Sequence, residues 1–304
     1  MYINKKIGII IVNFNTKTIT YNCVKSILDN SFDIEYSILI WDNNSSDDSS
    51  LFFLEKFGNI SSISIVSSNV NLGFGRACNR AAESLTNCDY FLFLNPDTSL
   101  IDNVLKNIIS AYIELSNIMS VGCIGVELYN TRGISTESEK KFPTVYEFIT
   151  SRIPFLRGKV SIVNRKFKEL DFQIVDYICG ADLFIEKILF LKIGGFDEDY
   201  FMYYEEIDLQ YKLKKLGFNN LLLKNYGINH IGGASLSDNS ILINLYSLES
   251  IIKYFKKHST IIENLILRIY LIVMLPFFLI KSLLLRPKFL NFNYIQKLLI
   301  VIFS

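Results

Sequence analysis

A short apolar run that stops at a proline constrains the fold more than any other feature of this chain. Residues 90–94 read Y-F-L-F-L, a run typical of a strand buried on both faces of a sheet. Pro96 has no backbone N–H to give to a neighbouring strand, so pairing should end there. Asn95 and Asp97 should therefore project from the carboxyl end of the strand, which is the end where open α/β sheets bind ligands.

Three further apolar runs precede this one, and each is followed by polar residues. They cover residues 7–12, 37–41 and 63–66, and segments with a helical spacing of apolar residues separate them. Such alternation predicts an α/β fold of right-handed βαβ units, with a Rossmann-like, mostly parallel central sheet flanked by helices. Because parallel strands end at the same edge, their polar tips should converge on one crevice.

The predicted crevice is lined by polar strand ends and by the glycines that open one of the helices. These residues are Asn13, Asn15, Asp42, Asn71, Gly73, Gly75, Asn79, Asn95 and Asp97. Gly73 and Gly75 would let backbone N–H groups approach a diphosphate at a helix start. Each Asn or Gly taken singly is readily explained as a turn residue, and only their repetition at successive strand ends favours a binding site.

Asp97 has two interpretations at this stage. Its carboxylate could hold a divalent cation against the diphosphate of a nucleotide-sugar, which is our central hypothesis. It could instead cap a helix that starts near Ile101, because Asp is a favoured N-cap residue.

The second half of the chain changes character. Its pattern loosens between about residues 129 and 175, which indicates a long excursion over the acceptor side of the crevice. Residues 175–185 then predict a single strand returning to the sheet, with a bend at Gly180-Ala181.

Acidic residues open the helix predicted to follow residue 204. Glu205, Glu206 and Asp208 would oppose the helix dipole favourably, and one of them could instead be a general base held at the crevice by aromatic neighbours. His230 stands alone near the end of the pattern, and a lone histidine is more often structural than a metal ligand.

Composition excludes some classes of function and restricts others. The 304-residue chain has a formal net charge of +1, so it lacks the basic signature expected for nucleic-acid binding. Its five cysteines are scattered singly, which favours buried thiols in a reducing compartment. The apolar run at residues 7–12 is short and lacks a small-residue cleavage site, so it predicts a first strand rather than a signal peptide.

Seven motifs, taken in order, resemble a known family. The chain is similar to the inverting GT-A glycosyltransferases of family 2, particularly the rhamnosyltransferase-like branch of bacterial cell-surface polysaccharide synthesis. The motifs are V-N-F-N at 12–15, W-D-N-N-S-S-D at 41–47, N-L-G-F-G-R-A-C-N at 71–79, L-N-P-D at 94–97, G-A-D at 180–182, F-M-Y-Y-E-E-I-D-L at 201–209 and H-I-G-G at 230–233.

The resemblance implies a role for each matching position. Asp42 would read the base, Asp97 and His230 would bind Mg²⁺ or Mn²⁺, and Glu206 would be the catalytic base. The implied nucleotide-sugar-binding residues are Val12, Asn13, Phe14, Asn15, Asp42, Asn71, Gly73, Gly75, Arg76, Asn79, Asn95 and Asp97. The acceptor-side candidates are Gly180, Ala181, Asp182 and Glu205.

Two positions depart from the family pattern. Asn95 replaces the first acid of the D-x-D motif, which removes one charge from the implied metal site. Glu206 replaces the more frequent Asp, which keeps the carboxylate but moves it one methylene further out. Neither change removes the chemistry of inverting transfer from a dTDP- or UDP-linked donor.

The C-terminal region has a different composition from the rest of the chain. We divide the chain into a GT-A nucleotide-sugar-binding and catalytic domain at 1–235 and a helical, apolar, membrane-associating region at 236–304. Pro276 interrupts the apolar run, and Lys253, Lys256 and Lys257 precede it, which favours an interfacial helix or helix pair at an anionic membrane surface. A single spanning segment at 265–285, a soluble helical cap and a homodimer interface remain alternatives.

The tail and the resemblance together predict a setting for the reaction. The expected acceptor is a saccharide carried on a polyprenyl diphosphate at the cytoplasmic face of the cell membrane, in O-antigen or capsule assembly. Two other functions stay open: a sugar-phosphate nucleotidyltransferase, although the glycine-rich Arg/Lys loop typical of those enzymes is missing after the first strand, and a non-catalytic, membrane-attached saccharide-binding or assembly protein.

Overall fold

The computed structural model describes residues 5–136, 138–150, 164–167, 170–232 and 240–285, together with residues 296, 299, 300 and 302. The strands are β1 (Lys6–Asn13), β2 (Glu35–Asp42), β3 (Ile63–Ser67), β4 (Tyr90–Leu94), β5 (Thr98–Leu100), β6 (Val121–Tyr129), β7 (Ser135–Thr136), β8 (Glu139–Lys140), β9 (Asn164–Phe167), β10 (Leu170–Val175), β11 (Tyr177–Ile178), β12 (Asp182–Glu186) and β13 (Asn219–His230). The helices are α1 (Lys17–Asn30), α2 (Ser49–Phe57), α3 (Phe74–Ser84), α4 (Val104–Ser116), α5 (Val145–Thr150), α6 (Lys187–Lys192), α7 (Glu205–Lys215), α8 (Ser240–His258) and α9 (Ile261–Leu285).

The chain forms two compact units. The first comprises Met1–Phe142, Ile162–Glu198 and Glu205–Ser235, and the second comprises Pro143–Ser161, Asp199–Tyr204 and Leu236–Ser304. The sequence placed its domain boundary after residue 235. The second unit also includes two segments that precede this boundary, Pro143–Ser161 and Asp199–Tyr204, which the sequence analysis assigned to the first domain.

The first unit contains a mixed sheet whose first half is parallel. The order is β3-β2-β1-β4-β12-β6-β13-β10-β9, and β3, β2, β1 and β4 all run in the same direction. Alternate residues of β1 belong to two different hydrophobic clusters, with Ile9 and Ile11 on one side and Ile10 and Val12 on the other. Helices therefore cover both faces, and the predicted α/β class is confirmed.

The second half of the sheet is mostly antiparallel. Strand β12 pairs antiparallel with both β4 and β6, and β13 pairs parallel with β6. Residues 175–185 were predicted as one strand, and this is wrong, because β10, β11 and β12 are three separate strands. Strand β11 pairs with β8 in a second small sheet, so the chain leaves the main sheet before β12 returns to it.

The strand predicted at 90–94 ends as expected, but a short strand follows it. Residues 98–100 form β5, which pairs antiparallel with β13. Helix α4 begins only at Val104, and Asn103 is its N-cap residue. The alternative interpretation of Asp97 as a helix cap is therefore excluded.

The second unit, described by itself, is built on aromatic packing between helices. The ring of Phe148 in α5 lies 5.9 Å from Phe255 in α8 and 6.3 Å from Tyr270 in α9, measured between centroids. Helix α9 continues through Pro276, which the sequence expected to interrupt it. Within the described residues, no helix combines the length and the hydropathy that crossing a bilayer requires.

Candidate functional site

The pairing of β13 with β5 brings together two residues that are 133 positions apart. His230 lies opposite Thr98, and the N–H of Ile231 donates to the carbonyl of Asp97 at 3.0 Å. As a result, His230 Nε2 lies 3.3 Å from Asp97 Oδ1, with side-chain exposures of 18% and 10%. The two residues implied as metal ligands are thus adjacent and reachable from solvent.

The donor set of this pair suits a cation shared with a substrate. In the described part of the chain, no group of three His, Cys, Asp or Glu residues is arranged to hold a metal. One carboxylate and one imidazole leave most coordination positions to other oxygens, and Mg²⁺ and Mn²⁺ accept phosphate and water oxygens readily. Asp97 and His230 therefore fit a cation completed by a diphosphate better than a structural metal.

The turn at Gly180-Ala181 contacts both the residue that follows β4 and the first turn of α7. The N–H of Asn95 donates to the carbonyl of Ala181 at 2.9 Å. On the neighbouring residue, a Cβ built on Gly180 would lie 3.2 Å from Cγ of Glu206, which is closer than side chains normally approach. Glycine at position 180 is what allows Glu206 to lie against this turn, so Asn95 and Glu206 share one edge of the first unit.

Burial separates the three acids at the start of α7. Glu205 is 4% exposed, and Asp208 is fully buried with Lys212 Nζ 2.6 Å from its Oδ2. Glu206 is partly exposed, and its charge adds to burial in raising the pKa of the nearby Cys179 thiol to about 11. Of the three, Glu206 is the carboxylate that an incoming hydroxyl could reach.

Asp42 sits in a network that fixes its carboxylate. Asn13 Nδ2 donates to its Oδ1 at 2.7 Å, Ser45 Oγ donates to the same oxygen, and Ser50 Oγ donates to its Oδ2 at 2.7 Å. Asn13 is fully buried, and its side-chain Oδ1 accepts from the hydroxyls of Thr16 and Thr20. Asn13 therefore orients Asp42, whereas the sequence expected it to line the crevice.

The residues on either side of Asn13 differ in exposure, and one of them links two loops. Val12 is 8% exposed, whereas Phe14 is 38% exposed. Asn15 has a positive φ of 53°, and its Oδ1 accepts the N–H of Ser46 at 2.7 Å. The side chain of Asn15 therefore ties the loop after β1 to the loop after β2.

Asn43 is a positioning residue that the sequence analysis missed. It is 3% exposed, its Nδ2 donates to Asn71 Oδ1 at 2.9 Å, and its Oδ1 accepts the N–H of Leu72 at 2.9 Å. Asn71 Oδ1 also accepts the N–H of Gly73, whose φ is +81°. The signal was present, because Asn43 follows Asp42 directly at a strand end.

Helix α3 uses two of its predicted site residues for packing. A Cβ on Gly75 would lie 3.1 Å from Cβ of Phe196 and 3.4 Å from Cβ of Glu205, so the missing side chain admits these neighbours rather than a ligand. Asn79 Oδ1 accepts the N–H of Phe196 at 3.0 Å, and its Nδ2 donates to the carbonyl of Phe196 at 2.8 Å. Arg76 is exposed, and its Nε donates to the carbonyl of Glu198 at 2.7 Å.

Asp182 is buried in the sheet beside Ala181, which is itself fully buried. Its Oδ2 accepts the N–H of Val126 at 2.6 Å, and the side chain is 2% exposed. Burial raises the pKa of this carboxyl well above its usual range, and the hydrogen bond from Val126 opposes the shift only in part. Asp182 therefore keeps its proton to a higher pH than an exposed carboxyl does.

Gln210 is a second residue that the sequence analysis missed. Its Oε1 accepts the N–H of Ile178 at 2.9 Å, and its Nε2 donates to the carbonyl of the same residue at 2.9 Å. The amide thus pairs with the backbone of β11 as another strand would, one turn after Glu206. Nothing in the local sequence distinguishes Gln210 from an ordinary polar residue of a helix.

Comparison with known proteins identifies a family and several relatives. The protein-family model described as Glycosyl transferase family 2 matches residues 8–171 of this chain. The chain is 29% identical over 203 residues to Rhamnosyltransferase WbbL of Escherichia coli (strain K12), covering 64% of this chain and 73% of that protein. It is 24% identical over 208 residues to the N-acetylglucosaminyl-diphospho-decaprenol L-rhamnosyltransferase of Mycobacterium tuberculosis (strain CDC 1551 / Oshkosh), covering 64% and 66%.

A solved structure has the same fold. The crystal structure of GalNAc-T7 with UDP, GalNAc and Mn²⁺ superimposes with a TM-score of 0.62 and 13% identity. The match covers 83% of this chain and 48% of that chain. The chain thus spans about two thirds to three quarters of these relatives and about half of this structural neighbour.

We predict that Asp182→Asn removes a pH dependence from stability. Burial holds the pKa of Asp182 above its value in the unfolded chain, so the native protein keeps a proton that the unfolded chain loses above about pH 4. Wild-type stability should therefore fall as the pH rises from about 4 towards the folded pKa, by up to about 1.4 kcal/mol per pH unit. The amide does not ionise, so the melting temperature of the variant should gain on that of the wild type as the pH rises above about 4. Identical pH profiles for the two proteins would contradict a protonated Asp182.

Proposed function

The chain belongs to glycosyl transferase family 2, and on that premise we propose that it is an inverting, metal-dependent hexosyltransferase that uses a nucleoside-diphosphate sugar. The observation that carries the proposal is the turn at Gly180-Ala181. It has Asn95, next to the Asp97–His230 pair, on one side and the accessible Glu206 on the other. In-line displacement at an anomeric carbon requires a site for the departing diphosphate and a base for the attacking hydroxyl, and both would lie at this edge of the sheet.

The general base comes from Glu206. Inversion requires a sugar hydroxyl to attack the anomeric carbon from the face opposite the departing nucleoside diphosphate, while a carboxylate accepts the hydroxyl proton. Glu206 is the only partly exposed acid among Glu205, Glu206 and Asp208, and Gly180 leaves room beside it. Glu205 and Asp208, which are buried, support the helix rather than the proton transfer.

The residues proposed to bind the donor lie at the ends of the parallel strands of the sheet and at the start of α3. Asp42, oriented by Asn13 and two serines, has a fixed acceptor geometry of the kind that selects the N–H edge of a base. Asn71 and Gly73 are held by Asn43 next to it, where backbone N–H groups at the start of α3 favour the diphosphate. Asn95 and Asp97 complete this line at the end of β4.

A divalent cation would be held by Asp97 and His230. When bound, Mg²⁺ or Mn²⁺ neutralises the charge that develops on a departing diphosphate. The two side chains lie 3.3 Å apart at the edge of the sheet, so they present one oxygen and one nitrogen to the same point. Since Asn95 carries no charge, the protein contributes one carboxylate, and this makes the cation depend on the diphosphate.

The relatives suggest the donor and acceptor to test first. Two carry rhamnosyltransferase names, and one of these names an N-acetylglucosaminyl-diphospho-decaprenol acceptor. We therefore propose L-rhamnose from dTDP-rhamnose as the transferred sugar, with UDP-hexoses as alternatives, and a polyprenyl-diphosphate-linked saccharide as the acceptor. The step would belong to O-antigen, capsule or related polysaccharide assembly.

We propose that the reaction takes place at the cytoplasmic face of the cell membrane, because an acceptor on a lipid carrier is held at a membrane surface. Among the side chains of α9 that the structure describes, residues 261–277, every exposed one is apolar, and we call this surface the outward face. It comprises Ile261, Ile262, Leu265, Ile266, Ile269, Ile272, Val273, Pro276 and Phe277. Lys256, which is exposed, lies in the last turn of α8, and Asn264 Nδ2 links α9 to this end of α8 by donating to the carbonyl of Phe255 at 3.1 Å.

This combination fits a peripheral attachment to anionic lipid. Apolar side chains on one face of a helix can enter the headgroup boundary, while lysines at its start attract the charged surface. Two further basic residues that follow α9 in the sequence, Arg286 and Lys288, lie outside the described residues. A homodimer formed through the same face of α9 is the alternative, and vesicle flotation separates it from lipid binding.

We predict that Glu206→Gln loses transfer and keeps donor binding. Removal of a general base typically costs about 10²- to 10⁴-fold in rate. The amide has nearly the same size, so the turn at Gly180 should be undisturbed. Single-turnover transfer and donor titration measure the two properties, with Glu55→Gln, an exposed glutamate of α2, as the control. Near-normal transfer by Glu206→Gln would show that the base is elsewhere.

We predict that donor binding raises the melting temperature more with Mn²⁺ than without it. A ligand at 100 times its Kd stabilises the native state by about 2.7 kcal/mol. Asp97→Asn should abolish the metal-dependent part of the shift for dTDP-rhamnose or whichever UDP-hexose binds, and keep the metal-free part. If Asp97→Asn responds to Mn²⁺ as the wild type does, the cation is not held there.

We predict that the outward face of α9 binds vesicles. The wild type should float with vesicles of phosphatidylglycerol and phosphatidylcholine, and Ile269→Ser/Val273→Ser should partition at least about tenfold more weakly, since each apolar side chain is worth roughly 1.5–3 kcal/mol when buried. Leu51→Ser, which changes an exposed apolar residue of α2, is the matched control. Equal flotation of all three proteins, or a wild-type dimer that the double variant dissociates, would refute lipid as the occupant.

A further inference from the structure

The connection from β4 to β5 is a tight turn that carries Asp97. Its residues are Asn95-Pro96-Asp97-Thr98. The carbonyl of Asn95 accepts the N–H of Thr98 at 3.2 Å, which closes a β-turn with proline at its second position, where proline is favoured. The hydroxyl of Thr98 donates to the same carbonyl at 2.7 Å. The turn is therefore closed twice, once by the backbone and once by a side chain.

The hydroxyl of Thr98 is shielded from water. The residue is 3% exposed, and helix α1 lies against it. Cys23 Sγ of this helix is 3.5 Å from Thr98 Oγ1 and 3.7 Å from the carbonyl oxygen of Asn95. A buried hydroxyl that loses its partner carries the full cost of desolvation. The side chain of Thr98 is thus committed to the turn, and solvent does not replace it at the carbonyl of Asn95.

Both ends of the turn are attached to neighbouring strands. The N–H of Asn95 donates to a carbonyl in the turn that precedes β12, and Thr98 pairs with His230 of β13. Between them, the carbonyl of Asp97 accepts the N–H of Ile231 at 3.0 Å. The shape of the turn therefore sets where the carboxylate of Asp97 lies relative to Nε2 of His230, which is 3.3 Å away.

We propose that Thr98 is a positioning residue for the cation of the transfer reaction. Its hydroxyl holds the turn in the conformation that directs the carboxylate of Asp97 and the imidazole of His230 to the same point. This inference rests on the proposed function, in which these two side chains bind the cation. It deepens that function by assigning the placement of a metal ligand to a buried hydroxyl next to it.

The charge of the proposed site makes this placement important. Asp97 is the one carboxylate that the turn supplies, because Asn95 carries no charge. A second acid would compensate for a small displacement of the first, whereas an amide oxygen does so less well. Mg²⁺ in particular demands near-ideal geometry, with ligand oxygens at about 2.0–2.1 Å. A turn closed by two bonds meets this demand better than a turn closed by one.

A hydroxyl that only stabilised the fold would give a different experimental result. Its loss would lower the melting temperature of the free protein, but the folded protein would bind the cation as before. A hydroxyl that orients a metal ligand is expected to change metal affinity, because such partners typically account for about 10- to 100-fold in affinity. Cation binding by the folded protein therefore separates the two roles.

Three variants isolate the hydroxyl. Thr98→Val keeps the shape of the side chain and removes the hydroxyl, and Thr98→Ser keeps the hydroxyl and removes the methyl group. Ser26→Ala is the control, because Ser26 Oγ accepts the N–H of Leu100 at 3.0 Å and so holds β5 outside the turn. Melting of the free proteins checks folding, and Thr98→Ala, with a smaller side chain, repeats the test if valine is not accommodated.

The measurement is a titration with Mn²⁺ in the presence of dTDP or UDP, followed by melting temperature. We expect Thr98→Val to raise the Mn²⁺ concentration for half of the temperature increase by about 10- to 100-fold, and to leave nucleotide affinity in EDTA within about twofold of the wild type. Thr98→Ser should restore the wild-type Mn²⁺ requirement, and Ser26→Ala should leave it unchanged.

Three results would overturn the inference. They are a wild-type Mn²⁺ requirement in Thr98→Val, a failure of Thr98→Ser to restore that requirement, and an equal increase in Ser26→Ala. The last result would mean that any loosening of β5 weakens the cation site, so that the hydroxyl in the turn has no particular role.

Asp97→Asn distinguishes this inference from the proposed function. If Asp97→Asn loses the response to Mn²⁺ and Thr98→Val keeps it, the proposed cation site stands and the inference alone is wrong. If the wild type does not respond to Mn²⁺ with either nucleotide, or if Asp97→Asn responds as the wild type does, the proposed cation site is wrong and the inference fails with it.

Discussion

One strand pairing brings the parts of the proposed site together: the antiparallel contact of β12 with β4. Its register places Asp182 opposite Leu94, so the turn that precedes β12 lies beside Asn95 at the end of β4. A slip of one residue would turn the inward side chains of β12 to the opposite face. A slip of two residues would move Gly180, and the Glu206 side chain against it, by roughly 7 Å relative to Asp97. The buried aromatic residues of both strands prevent either shift.

Around this pairing, buried amides act as rigid links between segments. Asn13, Asn43 and Gln210 are buried and Asn79 is partly buried, and each donates and accepts, which is possible because a side-chain amide carries both functions. Each joins backbone or side chains that are far apart in sequence. A buried amide that lost a partner would pay the cost of an unmade hydrogen bond, so these links resist local rearrangement. The proposed donor site is therefore organised before any ligand arrives.

The acid-bearing edge is organised differently. Glu206 depends on a glycine for space and on Gln210 for the placement of its helix. The proposed donor edge relies instead on compact networks of side chains near the ends of parallel strands.

Much of this could be predicted from local patterns. The apolar runs at 7–12, 37–41, 63–66 and 90–94 determined four strands, because strand burial leaves a direct mark on composition, and Pro96 determined where the last one ends. The motif order indicated the family, which the match to residues 8–171 confirms. The sequence also marked Asp97, His230 and Glu206 as candidates, although it could not show that any two of them meet.

Other features depended on contacts between distant residues, and the tertiary structure alone decided them. The single strand expected at 175–185 is three strands, since pairing with β8, β13 and β4 divides it. Gly75 admits Phe196 and Glu205 rather than a ligand, and Asn13 and Asn79 are consumed by internal bonds, because their neighbours come from elsewhere in the chain. The sequence by itself determined which residues could perform the chemistry; the tertiary structure decided which of three acids is accessible and that Asp97 meets His230, because burial and cross-sheet pairing arise only when the whole chain has packed.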